Sequence, residues 1–419
     1  MKFAKKLLVS MLAVGLMTGC SSTGSKTSDA EIVTEITSPV EITFWHAMNG
    51  AQEESLTKLT EKFMDQNENI KVTLQNQSSY PDLQQKLTAT SASPKDLPTL
   101  TQAYPDWMFN PINDGLVLEL DEYINHETIG FDNYEDILEG FRNATVINDK
   151  TYAMPFNKST EVLWYNKTLF EELGLEVPTT LEELAEVSKT IKEEKGIVGA
   201  GFDALSNYYT TYITNEGEVY DSNFDVTGKA SQDAVNYYLD GVKEGYFRIA
   251  GTDMYLSGPF AAENVAMYVG SNAGESFVTQ GVGDKFEVGV APFPATNKIQ
   301  QGTDLYVFSS ATPEQRTAAF EYLKFLSSPE SQLTWATETG YVPARQSVID
   351  SEEYKNSGSL VAPILADATK GVFTNPVVGG ANAAYKESAT MLESVLADTS
   401  SDVSKKLEEF KTTLTSIWE

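Results

Sequence analysis

Residues 41–76, EITFWHAMNGAQEESLTKLTEKFMDQNENIKVTLQN, carry the pattern that decides the fold. Glu41–His46 is a branched and aromatic run, the composition of a buried strand. In Gln52–Met64, Leu56, Leu59 and Phe63 recur at helical spacing on one face. Ile70–Leu74 then alternates as a strand does. Beyond it Pro81 opens a second helix holding Leu83 and Leu87, because proline suits a first turn, and Thr99–Ala103 reads as a third strand. Strand, helix, strand, helix, strand is the order of a parallel sheet with helices on its faces. Ligands of such sheets collect beyond the carboxyl ends of the strands. Here those ends are His46–Gly50, Gln77–Pro81 and Tyr104–Trp107.

A second region of the same kind spans about Tyr152 to Pro294. Within it, Thr180 followed three residues later by Glu183 marks a capped helix start. Thr312 and Pro313 mark another, with Phe320, Leu323, Phe325 and Leu326 as its apolar side. Helices around Leu392–Leu396 and Val403–Trp418 are expected to pack outside the sheets. No tandem repeat, coiled-coil or solenoid period is present.

The amino terminus has a different character. Lys2, Lys5 and Lys6 precede a short apolar run from Leu7 to Met17, then Thr18, Gly19 and Cys20, the only cysteine. This resembles a bacterial secretory signal ending in a lipobox, with Met17 where leucine is commonest. It implies a signal peptide over 1–19 and lipidation of Cys20, which would tether the chain to the outer face of the cell membrane. Residues 20–38 read as a flexible polar linker.

Formal charge is -30, and the first 19 residues hold three lysines and no carboxylate, so the mature chain from Cys20 is at -33. Phosphate backbones would be repelled, which argues against nucleic acid. With Cys20 lipidated no thiol remains, and the two histidines, His46 and His126, leave little for transition metals. No nucleophile elbow, phosphate-cradling loop, zinc helix or calcium loop occurs, and neither a metal nor a cofactor is expected. The acidic pairs Glu53-Glu54, Glu171-Glu172 and Glu182-Glu183 lie on expected helices beside lysines and read as solvated faces. Aromatic residues stand out instead: Trp45, Tyr80, Tyr104, Trp107, Tyr208, Tyr209 and Tyr341 fall at strand ends and in loops. Flat rings stack on sugars, and phenols hydrogen-bond their hydroxyls.

Four segments occur in order: Phe44–Met48, Tyr152–Thr160, Leu163–Lys167 and Gly340–Pro343. Together they resemble family 1 extracellular solute-binding proteins of ABC importers, in the maltose-binding-like group, nearest to its glycerol-3-phosphate-binding members. The resemblance spans nearly the whole mature chain. It implies an α/β periplasmic-binding-protein fold of two lobes with the ligand cleft between them. The N-terminal lobe would take 39–152 plus 301–345 and the C-terminal lobe 153–300 plus 346–419. It further implies a monomer that captures solute, closes, and delivers it to permease subunits without catalysis.

Carried over position by position, the resemblance places ligand-binding roles on Tyr80, Ser159, Ser271, Gly302 (a glycine before a strand) and Tyr341. A carboxylate one place later than the family pattern falls on Asp106. Asp304 is peculiar to this chain, and Trp45 joins the set as an aromatic strand residue. The family's second-lobe tryptophan has no clean counterpart; Asn207, Tyr208 and Tyr209 occupy that region, and Tyr208 is taken into the set. The departure that matters is at Thr374–Gly380. No arginine or lysine occurs between Lys370 and Lys386, where a phosphate-binding arginine belongs in that group, and Arg345 is the one alternative. A phosphate dianion in a half-dry cleft wants a bidentate guanidinium. The expected ligand is therefore a neutral carbohydrate or polyol. Glycerol 3-phosphate or a glycerophosphodiester is the alternative in the same fold, and a surface glycosidase is the alternative of another class.

Overall fold

The computed structural model describes residues 32–419. The signal segment and Cys20 lie outside the described residues, as does most of the linker. Its last part, 32–38, lies along the body of the protein rather than hanging free. Ile32 and Ile36 pack on a hydrophobic core, and the Val33 and Ile36 carbonyls accept from Thr317 (2.6 Å) and Asn69 (3.0 Å). Two apolar residues in a polar tract are enough to change its behaviour.

The opening pattern folds in the expected order. Strand β1 (Val40–His46), helix α1 (Ala51–Gln66), strand β2 (Ile70–Asn76), helix α2 (Tyr80–Ser91) and strand β3 (Leu100–Ala103) follow in turn. β1 pairs in parallel with both β2 and β3. Leu56, Leu59 and Phe63 of α1 face the core with Ile42, Phe44, Leu100 and Phe320. Pro81 lies in the first turn of α2, and Ser79 caps it by accepting from the Asp82 N–H.

Two long strands continue this sheet out of the first lobe. They are β4 (Ala153–Asn166) and β9 (Lys298–Val307), antiparallel to each other. Between them in sequence come β5 (Ala200–Phe202), β6 (Phe247–Ile249), β7 (Met267–Ser271) and β8 (Val288–Pro292). The strand order is β2-β1-β3-β9-β4-β7-β5-β6, with β8 paired to the far half of β4. Ala153–Thr160 of β4 lies against β9, whereas Glu161–Tyr165 lies against β7. One strand thus serves both lobes, and its crossing point is Thr160–Glu161.

The second lobe has its own core, where Leu184, Phe202, Tyr238, Leu392 and Phe410 are buried together. Around its sheet pack α3 (Leu181–Lys195), α4 (Leu205–Asn215), α5 (Lys229–Glu244), α8 (Ala381–Ala397) and α9 (Val403–Trp418). Between β9 and α8 lie α6 (Pro313–Leu326) and α7 (Pro329–Thr339). Of the two expected helix starts, the capping box closes fully at α6, where Thr312 and Gln315 exchange side chain-to-backbone bonds. At α3, Thr180 accepts from the Glu183 N–H, but the Glu183 carboxylate reaches Thr179 instead.

Candidate functional site

A cavity of about 390 Å³ lies where the lobes meet. From the first lobe it is walled by Tyr80 and Pro81 after β2, and by Tyr104, Pro105, Asp106 and Trp107 after β3. These are carboxyl ends of parallel strands, where side chains and loops splay beyond the ladder. The segment after β1 does not reach it. The floor is the crossing strands themselves, Lys158 of β4 and Ile299–Gly302 of β9. The second lobe contributes Ala204 and Asn207 at the start of α4, Thr374, Asn375 and Val377, and Asn382, Tyr385 and Lys386 on α8.

The first-lobe wall is aromatic. Tyr80, Tyr104 and Trp107 form a triangle with ring centroids 5.1–6.2 Å apart. The Tyr80 hydroxyl is 3.4 Å from that of Tyr341 and accepts from Asn157 at 3.4 Å. Burial, then the neighbouring Tyr341 phenol, holds both Tyr80 and Tyr104 well above the usual phenol range. They stay protonated and able to donate. Tyr255, 58% exposed on the other lobe, acts on the same phenols electrostatically. It was not among the expected residues.

Polar groups join the lobes across one edge. Asn382 donates to Asp106 at 2.6 Å, and Gln84 of α2 donates to Asn382 at 2.7 Å. The Lys386 ammonium donates to Gln84. Burial raises the Asp106 carboxyl and the Asn382 bond opposes it; burial lowers Lys386 and Asp106 opposes it. Deeper in, Tyr385 donates to Asn207, which donates to Glu161 at 2.8 Å. Glu161 is fully buried at the crossing point, its second oxygen has no hydrogen-bond partner, and burial pushes its pKa to about 8.

The expected residues divide. Tyr80, Asp106 and Gly302 line the cavity, and Tyr341 backs it through Tyr80. Gly302 sits within β9 rather than before a strand. Asp304 is wholly buried behind the floor, ion-paired to Lys158. Trp45, Ser159, Tyr208 and Ser271 do not line the cavity. Trp45 turns to the face covered by α2, where its indole donates to Gln75 at 2.8 Å and the Lys86 ammonium sits 4.1 Å from its ring. Tyr208 points into the second core and donates to the Ala234 carbonyl at 2.6 Å. One residue earlier on the helix, Asn207 takes the cavity side. Ser159 is buried in the ladder opposite Gln301, and Ser271 caps the turn after β7 by accepting from Ala273. Arg345 is buried elsewhere, paired with Asp136 at 3.1 Å. Only Lys158 and Lys386 bring positive charge to the cavity wall among the described residues.

Residues 58–362 match the family model described as bacterial extracellular solute-binding protein. Among curated relatives, the sn-glycerol-3-phosphate-binding periplasmic protein UgpB of Rhizobium meliloti is 25% identical over 342 residues, 76% of this chain and 78% of that one. Its Agrobacterium fabrum counterpart is 26% identical over 344 residues, 76% and 77% of the two chains. Among solved structures, UgpB from Mycobacterium tuberculosis in complex with glycerophosphocholine aligns at TM-score 0.81 with 21% identity, covering 90% of this chain and 98% of that one. The GacH receptor of Streptomyces glaucescens, solved unliganded and with acarbose, aligns at 0.78 with 22% identity, covering 90% and 99%. Maltose-bound MalE3 of T. maritima aligns at 0.79 with 20% identity and the same coverage of 90% and 99%.

Proposed function

This chain belongs to the bacterial extracellular solute-binding proteins, and from that premise we propose that it captures a neutral carbohydrate or polyol by closing its two lobes and hands it to an ABC permease. The observation that carries the choice of ligand is electrostatic. Lys158 is ion-paired to Asp304, while Lys386 donates to Gln84 and feels Asp106 electrostatically without a salt bridge to it. Among the described residues no arginine lines the cavity to hold a phosphate dianion, while the phenols, amides and Asp106 offer donors and acceptors for hydroxyls. The Tyr80, Tyr104 and Trp107 rings supply the stacking surface.

In this reading the first lobe is 39–152 plus 301–345 and the second 153–300 plus 346–419, with β4 and β9 as the hinge. The mature protein acts as a monomer anchored through Cys20 to the outer face of the membrane, and it alters no bond in the ligand. One observation favours a second ligand. Relatives in sequence and structure carry the names of glycerol 3-phosphate and glycerophosphocholine binders. Three rings beside Asp106 also suit a quaternary ammonium.

A thermal-shift screen decides between them, using the soluble chain from residue 26 with maltose, maltotriose, glycerol, glycerol 3-phosphate and glycerophosphocholine. A neutral compound should raise the melting temperature, and Tyr80→Ala and Asp106→Ala should each abolish that rise while leaving the unliganded melt nearly unchanged. A response to the phosphorylated compounds alone overturns the neutral-ligand reading. Reducing ends accumulating from maltotriose would make the protein a glycosidase instead.

A further inference from the structure

We propose that Asp304 sets the charge specificity of the cleft without touching the ligand, by occupying Lys158 so that the cavity floor rejects phosphate. The proposal rests on the neutral-ligand reading above. Lys158 stands on β4 directly opposite Gly302 of β9, a position with no side chain to cover it. Asp304, two residues further along β9, is its diagonal neighbour, within reach of a long side chain. Both Asp304 oxygens accept from the ammonium, at 2.9 and 3.1 Å, and the two side chains are 0–1% exposed.

A β-bulge falls between Thr303 and Asp304. Bulges of this kind re-aim a side chain. Burial raises the Asp304 carboxyl and Lys158 opposes that rise. Wherever the shared proton rests, the pair sums to zero charge. A phosphate entering the cavity would have to displace a bidentate carboxylate from Lys158 while facing Asp106. A hydroxyl group meets neither obstacle.

The consequence is that phosphate exclusion is separable from ligand capture. Asp304→Asn leaves the Lys158 ammonium without its carboxylate at the cavity floor, where an anion from solution can replace it. The test titrates inorganic phosphate and glycerol 3-phosphate into three proteins: the parent, Asp304→Asn, and the double variant Lys158→Met with Asp304→Asn, which nearly keeps the volume but carries no charge. The expected result is no melting shift for the parent or the double variant. Asp304→Asn should gain a salt-sensitive shift and bind glycerol 3-phosphate at least about tenfold more tightly than the parent.

If Asp304→Asn folds only when phosphate is present and the double variant folds without it, the proposal is supported in stronger form. A folded Asp304→Asn that ignores both anions overturns it. So does an Asp304→Asn that stays unfolded with phosphate while the double variant folds. A parent that binds glycerol 3-phosphate itself sinks the neutral-ligand reading, whereas an inert parent beside an inert Asp304→Asn sinks only the role of Asp304.

Discussion

Gly302 occupies a position that no side chain fits. Its φ is +91°, and a Cβ there would lie 1.9 Å from the Asn157 carbonyl oxygen on the facing strand. Gly302→Ala should therefore destabilise the protein by roughly 2–4 kcal/mol, read as a lower urea midpoint. Glu161 presents the opposite case, a residue that fits but is poorly solvated. Its folded pKa is about 8 against 4.5 ordinarily, raised by burial and opposed by Asn207. The folded state keeps a proton that the unfolded chain releases. That contribution is complete below about pH 4.5 and is lost as pH climbs through about 8, a span worth on the order of 5 kcal/mol. Glu161→Gln preserves the acceptor for Asn207 and removes the titration. Urea midpoints from about pH 5 to about pH 9 should fall more steeply for the parent, and the variant should be the more stable protein at the alkaline end. Parallel curves would place the Glu161 proton elsewhere.

Among the elements, helix starts and hinge strands behave differently. A helix start is a local matter: Thr312, Pro313 and Gln315 are three neighbours whose bonds close within one turn. Thr312→Ala should cost about 1 kcal/mol of stability by urea unfolding and leave ligand affinity alone, since α6 does not line the cavity. The crossing strands β4 and β9 are not local. Their pairing joins residues about 146 positions apart, as in the Lys158–Asp304 contact. The unbroken burial of β4 from Ala153 to Trp164 marks a strand covered on both sides. Such a strand transmits lobe rotation through its backbone, with Thr160–Glu161 as the point where the partner strand changes.

At the scale of the whole molecule, two cores joined by the two crossing strands and by the chain after residue 345 give a body that can move by closure of one lobe on the other. The hydrogen bonds from Asn382 to Asp106 and from Gln84 to Asn382 connect the lobes. Bonds that form only when the lobes are together favour the closed arrangement, and a ligand held between the lobes gains affinity from them. Asn382→Ala should weaken ligand binding about three- to tenfold and raise the unliganded radius of gyration in X-ray scattering, with the liganded value unchanged. Equal radii for parent and variant would remove Asn382 from the closure equilibrium.

Short-range pattern alone determined the α/β class, the order of the first five elements and the starts of α2 and α6. Each of those depends on residues within a few positions of one another, whereas the family came from the resemblance of four segments spread along the chain. That Tyr80, Asp106 and Gly302 would lie beside a cavity was also legible, because strand ends or a family resemblance mark them whatever lies opposite. Trp45 and Tyr208 were misplaced, since neither a strand's two faces nor a helix's register reveals which side meets the cleft until the sheet is covered. Lys158, Asn382, Tyr385 and Lys386 carry no local mark at all. Their place in the cavity, and the ion pair between Lys158 and Asp304, arise only when distant segments pack. Tertiary contact decides which charges face solvent and which cancel.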